Sequence, residues 1–110
     1  MERSKVESYL GFCLRAGKVV FGVDGIEQQK KGVFLLIVDK SVGESSFKKV
    51  QKAREKLSCP LVLAEEEKLG AMLYKPAVKA VAIKDKNLAE AIVNALVGET
   101  HLKLYSGGTN

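Results

Sequence analysis

The sequence predicts an α/β fold, a single domain built as a three-layer α-β-α sandwich. Two observations carry that prediction. Segments with helical spacing of apolar residues alternate with short β-rich runs, in the order helix, strand, helix, strand, helix, strand, helix, strand, helix. One of those runs, Val33-Phe-Leu-Leu-Ile-Val38, is apolar throughout, the pattern of a central strand covered on both faces. A length of 110 residues holds one core and leaves no room for a second. Alternation at this spacing argues for four strands, mostly parallel, with helices on both faces of the sheet.

The first helix is expected from Glu2 to Ala16, where Val6, Tyr9, Leu10, Cys13 and Leu14 recur at three- and four-residue steps and form one apolar stripe. Ser4, with Glu7 three places on, forms a capping box at its start. Gly17 ends it, because a left-handed position suits a residue without a Cβ. Lys18-Val-Val-Phe21 is the first strand and Val23 to Lys31 the second helix, weakened by about 1 kcal/mol by Gly25. After the central strand, Phe47, Val50, Ala53 and Leu57 give the third helix its buried stripe, with Lys48, Lys49, Lys52, Glu55 and Lys56 outside. Leu61-Val-Leu63, a short helix from Glu65 to Leu73, and the strand Val78 to Ile83 follow. The last helix carries Leu88, Ala91, Ile92, Ala95 and Leu96 behind an Asp85 cap. The domain is therefore expected over residues 1–98, and residues 99–110, ending in Ser106-Gly-Gly-Thr-Asn110, as a flexible tail.

Eighteen Lys+Arg against thirteen Asp+Glu give a net charge of +5, which favours an anionic partner such as nucleic acid. Met1-Glu-Arg-Ser-Lys lacks the apolar stretch of a signal peptide, and the longest apolar run is about a third of a membrane span. The expected location is cytoplasmic, without a membrane partner. Cys13 and Cys59 are too few for a disulfide framework, sit in apolar surroundings and read as reduced core residues. No metal-ligand spacing is present, and neither cysteine has a visible base. The one histidine, His101, falls in the expected tail, so no catalytic residue and no cofactor are assigned.

Gly17-Lys-Val-Val-Phe-Gly22-Val-Asp-Gly25 has neither a dinucleotide fingerprint nor a phosphate-loop ending. Its glycines either make a tight turn or open backbone N–H groups to an anion. Glu65-Glu-Glu67 complements a helix N-terminus, and Asp39-Lys40 is either a solvated loop or lies where ligands of open α/β sheets bind. Arg15, Lys18, Lys30 and Lys40 form a phosphate-binding patch if they converge at one end of the sheet. The seven Tyr and Phe residues are expected mostly inward, which disfavours single-strand stacking and favours folded RNA read by shape and backbone.

Four phrases carry a resemblance: Leu10-Gly-Phe-Cys-Leu-Arg-Ala-Gly-Lys-Val-Val-Phe-Gly22, Phe34-Leu-Leu-Ile-Val-Asp-Lys40, Glu66-Glu-Lys-Leu-Gly70 and Val78-Lys-Ala-Val-Ala-Ile83. In order and spacing they resemble the kink-turn-binding ribosomal proteins of the L-seven-Ae and L-thirty-e type, nearest the bacterial YlxQ-like group. The likeness extends from Glu2 to Leu96 and implies an α-β-α sandwich with a mixed, four-stranded sheet. It also implies a partner in structured RNA, ribosomal RNA among the candidates, and ribosomal or translation-related proteins nearby.

Members of that family bind RNA through a Gly-x-Asn-Glu-x-x-Lys turn after the first strand and a loop near the fourth helix. The corresponding stretches here are Gly22-Val-Asp-Gly-Ile-Glu-Gln28 and Leu63-Ala-Glu-Glu-Glu-Lys-Leu-Gly70. Gly22 is kept, Asp24 stands for Asn, Gly25 for Glu and Gln28 for Lys, with Lys30 able to supply the missing cation. Loss of one good base contact costs about 1–3 kcal/mol. Loss of one lysine takes roughly 0.7–0.9 from the salt slope of binding. The resemblance thus implies an RNA-facing surface of Arg15, Lys18, Gly22, Val23, Asp24, Gln28, Lys30, Lys40, Glu66, Lys68 and Leu69.

Three functions compete on these residues. The first is a non-catalytic protein of structured, kink-turn-like RNA. The second is a protein-interaction or regulatory module that keeps the fold without kink-turn binding, motivated by the altered signature and the Glu65–Glu67 cluster. The third, a small α/β enzyme, lacks a visible nucleophile, acid–base pair or cofactor loop.

Overall fold

The computed structural model describes residues 4–106. Its elements run α1 Lys5–Arg15, β1 Val19–Phe21, α2 Val23–Gln28, β2 Leu35–Asp39, α3 Glu44–Leu57, β3 Leu61–Ala64, α4 Lys68–Leu73, β4 Ala80–Ile83, α5 Lys86–Ala95, a 3-10 turn at Leu96–Gly98, and β5 Leu102–Ser106. The local signals behave as their chemistry requires. Ser4 Oγ accepts from the Glu7 N–H at 3.1 Å, and Asp85 Oδ1 accepts from the Leu88 N–H at 2.8 Å. Gly17, just past α1, adopts φ +69°, the left-handed conformation expected of it.

Among the described residues the sheet has five strands in the order β1-β4-β2-β3-β5, one more than expected. The additional strand comes from the supposed tail. β5 pairs antiparallel with β3 and buries Leu102 to 1% exposure. Its Leu-Lys-Leu alternation is a strand signal with period two, outweighed on paper by the Ser-Gly-Gly that follows. The domain therefore continues through Ser106; the part of the expected tail at 107–110 lies outside the described residues.

The sheet is mixed, as the resemblance implied and the alternation did not. Among the described residues β2 and β3 are the one parallel pair; β4 runs antiparallel to both β1 and β2, and β5 to β3. The route of each whole connection sets the direction of the next strand. The 14 residues of α3 extend about 21 Å and carry the chain back across the sheet, so β3 enters from the same end as β2. α2 and α4 each have six residues, about 9 Å: after α2 the segment 29–34 completes the return, so β2 runs the same way as β1, whereas after α4 the loop 74–79 stays at the end where β3 finished and β4 descends against its neighbours.

Helices cover both faces. Leu35, Ile37, Val62, Val81, Ile83 and Leu102 pack against Val6, Leu10 and Cys13 of α1, Leu69 and Leu73 of α4, and Ile92 of α5. On the other face Leu36, Val38, Leu61, Ala80 and Ala82 meet Ile26 of α2 and Val50 and Ala53 of α3. Both cysteines lie in these cores, and burial pushes each thiol up to about 11, which leaves neither a ready nucleophile. Among the described residues no helix is long and apolar enough to cross a membrane.

Candidate functional site

The C-terminal ends of β1, β2 and β3 and the start of β4 share one end of the sheet. Three segments meet there. The first is the turn from β1 into α2. Gly22 holds φ +86° and ψ 156°, a conformation nearly restricted to glycine, and its N–H donates to the Ala80 carbonyl at 2.8 Å. Nothing lies within 4 Å of a Cβ placed there, so backbone conformation demands this glycine and its outer surface stays open. Gly22 itself occupies the N-cap of α2, and no side chain caps that helix; Asp24 lies exposed in the first turn. Gly25 is fixed by packing instead, because a Cβ there falls 2.9 Å from Val20 Cγ1.

The second segment, Glu65 to Lys68, is shaped by Asp39. This fully buried carboxylate accepts from the Ser41 N–H at 2.9 Å, the Ser41 hydroxyl at 2.6 Å, the Glu67 N–H at 3.0 Å and the Leu69 N–H at 3.2 Å. Burial opposes its ionisation most strongly, yet the bonds from Ser41, Glu67 and Leu69 together prevail and hold the carboxyl below its usual value. Asp39 is thus neither a solvated loop residue nor a ligand group; it pins the start of α4 to the end of β2.

The third segment is the loop 74–79. Gly70 seats it: a Cβ at that position would stand 2.9 Å from the Lys75 carbonyl and 3.0 Å from Pro76 Cα. Glu67 and Tyr74, both in the left-handed region at φ +67° and +56°, bracket α4. Lys75 Nζ lies over the Phe21 ring, 5.5 Å from its centroid, which brings this loop beside the Gly22 turn. The Tyr74 hydroxyl donates to Glu7 Oε2 at 3.0 Å.

Charge at this end is balanced. Lys40, Lys68, Lys75 and Lys79 stand with Asp24, Glu65, Glu66 and Glu67. Lys40 pairs with Glu65 at 3.3 Å and Lys79 with Glu67, whose hydrogen bond raises the Lys79 ammonium above its usual value.

Gly22, Val23, Asp24, Lys40, Glu66 and Lys68 therefore share one end of the molecule. The other five expected residues do not contribute to that surface. Arg15 and Lys18 precede β1, whose start lies beside the end of β4, so they occupy the opposite end from Lys40. Arg15 lies over the Phe12 ring at 4.9 Å, and the Lys18 carbonyl accepts from the Lys84 N–H at 2.8 Å. Lys30 follows α2 toward that same far end, where Lys84 Nζ donates to Gln29 Oε1 at 2.9 Å. The phosphate patch of Arg15, Lys18, Lys30 and Lys40 accordingly does not form. Gln28, exposed, sits at the last position of α2, a helix length of about 9 Å from Gly22. Leu69 is fully buried with its N–H taken by Asp39, so it is a core residue and not a contact surface.

Sequence reasoning also misplaced the aromatics. Phe12, Phe21, Phe34, Tyr74 and Tyr105 are all at least 38% exposed, so most of the rings face outward. Phe21 and Tyr74, with Lys75 and Lys79, are the site neighbours it missed. Val19-Val20-Phe21 is apolar throughout and gave no signal for an outward ring; the edge position of β1 exposes Phe21.

No family model matches the chain, and no curated protein matches it. Among solved structures it is similar to a protein with unknown function from Bacillus halodurans C, at 20% identity and a TM-score of 0.72. The match covers 86% of this chain and 99% of that one. At that identity the likeness concerns the fold alone.

Proposed function

We propose that this chain is a non-catalytic, cytoplasmic RNA-binding protein that holds structured, kink-turn-like RNA at the sheet end carrying Gly22, in keeping with its resemblance to the kink-turn-binding ribosomal proteins. One observation supports this reading above the others: the exposed Phe21 ring under the Lys75 ammonium, beside a glycine turn with an open backbone surface. An aromatic face stacks an unpaired base for about 1–3 kcal/mol, and an adjacent cation meets its phosphate. The Asp39 network and the Gly70 seat hold the flanking loops in place, so little ordering is left to binding. A bent RNA offers both a splayed base and closely spaced phosphates. Ribosomal RNA, with ribosomal or translation-related proteins around it, is the partner class this reading selects.

The test is titration of a kink-turn RNA and an unkinked duplex at several salt concentrations. Kink-selective binding, weakened about tenfold by Phe21→Ala and by Lys75→Ala with the fold intact by circular dichroism, is the expected result. Equal and weak binding of the two RNAs contradicts the reading.

The balanced charge of this end favours a second reading, a protein-interaction module, because Lys40 and Lys79 are already engaged by Glu65 and Glu67. A partner retained in a pull-down through ribonuclease treatment supports that alternative; complete release by ribonuclease removes it.

A further inference from the structure

The positive charge that the Gly22 end lacks is concentrated elsewhere. α3 carries Lys48, Lys49, Lys52 and Lys56 on its exposed side, opposite Val50 and Ala53 of the core. Lys48, Lys52 and Lys56 follow one another at four-residue steps, a row about 12 Å long. Lys48, Lys49 and Lys52 enter no ion pair among the described residues, although Glu44 and Glu55 share the helix. Lys56 Nζ donates to the Glu27 carbonyl at 2.9 Å, which carries the basic strip to the end of α2, where Lys30 and Lys31 lie exposed. Two shallow depressions run along it. One of about 560 Å³ is lined by Glu44, Ser45, Lys48, Lys49 and Lys52; the other, about 110 Å³, lies toward α2 between Glu27 and Lys56 and shares Lys49 and Lys52.

We infer that this ridge is a second contact, one that grips the phosphate backbone of a duplex RNA stem without reading its sequence. The inference rests on the reading of the partner as RNA and extends it to a surface outside the Gly22 site. A duplex strand advances about 3 Å per phosphate along its axis, so a row of lysines about 12 Å long spans roughly four phosphates. The exposed row contains no aromatic or large apolar side chain. A protein partner would want an apolar centre to bury, and a single strand would want rings for stacking. A row of ammonium groups along a shallow trough fits a regular polyanion contacted by charge alone.

The experiment measures affinity across salt for a kink-turn RNA with long duplex arms and for one with trimmed arms. Lys49→Gln/Lys52→Gln is compared with Lys5→Gln/Lys86→Gln, which removes equal charge from helices on the other face of the sheet. The ridge variant should flatten the salt slope for the long-armed RNA by about 1.8 and leave the short-armed RNA nearly unaffected. Lys49→Arg/Lys52→Arg should keep the wild-type slope, and all variants should melt as wild type does. Kink-selective binding with a slope insensitive to the ridge variant overturns this inference and leaves the Gly22 reading standing. Binding of neither RNA by the wild-type protein defeats both. Tighter ridge-dependent binding of poly-glutamate than of an unkinked duplex assigns the surface to an acidic protein and overturns the RNA stem.

Discussion

Asp39 closes a strand buried on both faces, and an unpartnered carboxylate there would carry a heavy desolvation cost. Its four donors reverse that balance and hold the carboxyl's pKa below its usual value. The sign of the pH effect follows. A carboxyl whose folded value lies below its unfolded one contributes fully above about pH 4, and the contribution is lost as pH falls through the folded value. Urea melts of the wild type should therefore weaken more than those of Asp39→Asn as the pH falls below about 4. At pH 7 the same variant cannot accept from every donor and should lose about 1–3 kcal/mol. Equal acid sensitivity of the two proteins would show that Asp39 is not the organising group. Gly25 makes a second argument at this scale. It stands where the resembled family carries Glu, and its Cβ position is 2.9 Å from the stiff Val20 side chain. Gly25→Glu should destabilise by about 1–3 kcal/mol, with part of the loss recovered by Val20→Ala, as thermal melts of the single and double variants will show.

Elements were legible in the sequence where capping and periodicity agreed. Ser4, Gly17 and Asp85 mark helix boundaries because each satisfies or relieves a backbone group locally, and the structure uses all three in that way. Strand direction was not legible, because alternation of helix and strand does not state whether the connection recrosses the sheet. α3 recrosses it and α4 does not. The strand at Leu102–Ser106 was also lost, since one buried leucine and a three-residue alternation weigh little beside a glycine-rich ending. Its place in the fold is measurable. Leu102→Ala should cost about 2–5 kcal/mol by denaturant unfolding, whereas Leu104→Ala, at 49% exposure on the same strand, should stay within about 0.5 kcal/mol. Equal effects of the two would detach β5 from the core.

For the whole molecule, net charge could be read from composition, but its placement depends on which sheet end each loop reaches. Lys18 and Lys40 bracket strands that point the same way, so they finish at opposite ends, and no local pattern in the sequence says so. The outcome is a division of surfaces: a charge-balanced end with a glycine turn, an exposed ring and braced loops, and a basic ridge along α3. The Gly22 turn was found from the sequence because its glycine spacing is local. The loop 74–79 was missed because only the fold brings Lys75 over Phe21. The central claim, that this end receives RNA, is tested most directly by amide chemical-shift mapping during titration with a kink-turn RNA. The account predicts salt-sensitive shifts at Phe21 to Asp24 and across Lys75 to Lys79, accompanied by Lys48 to Lys56 when the RNA has long arms. Saturation without shifts at Phe21 to Asp24, or shifts confined to the far end around Lys18 and Lys84, would contradict it.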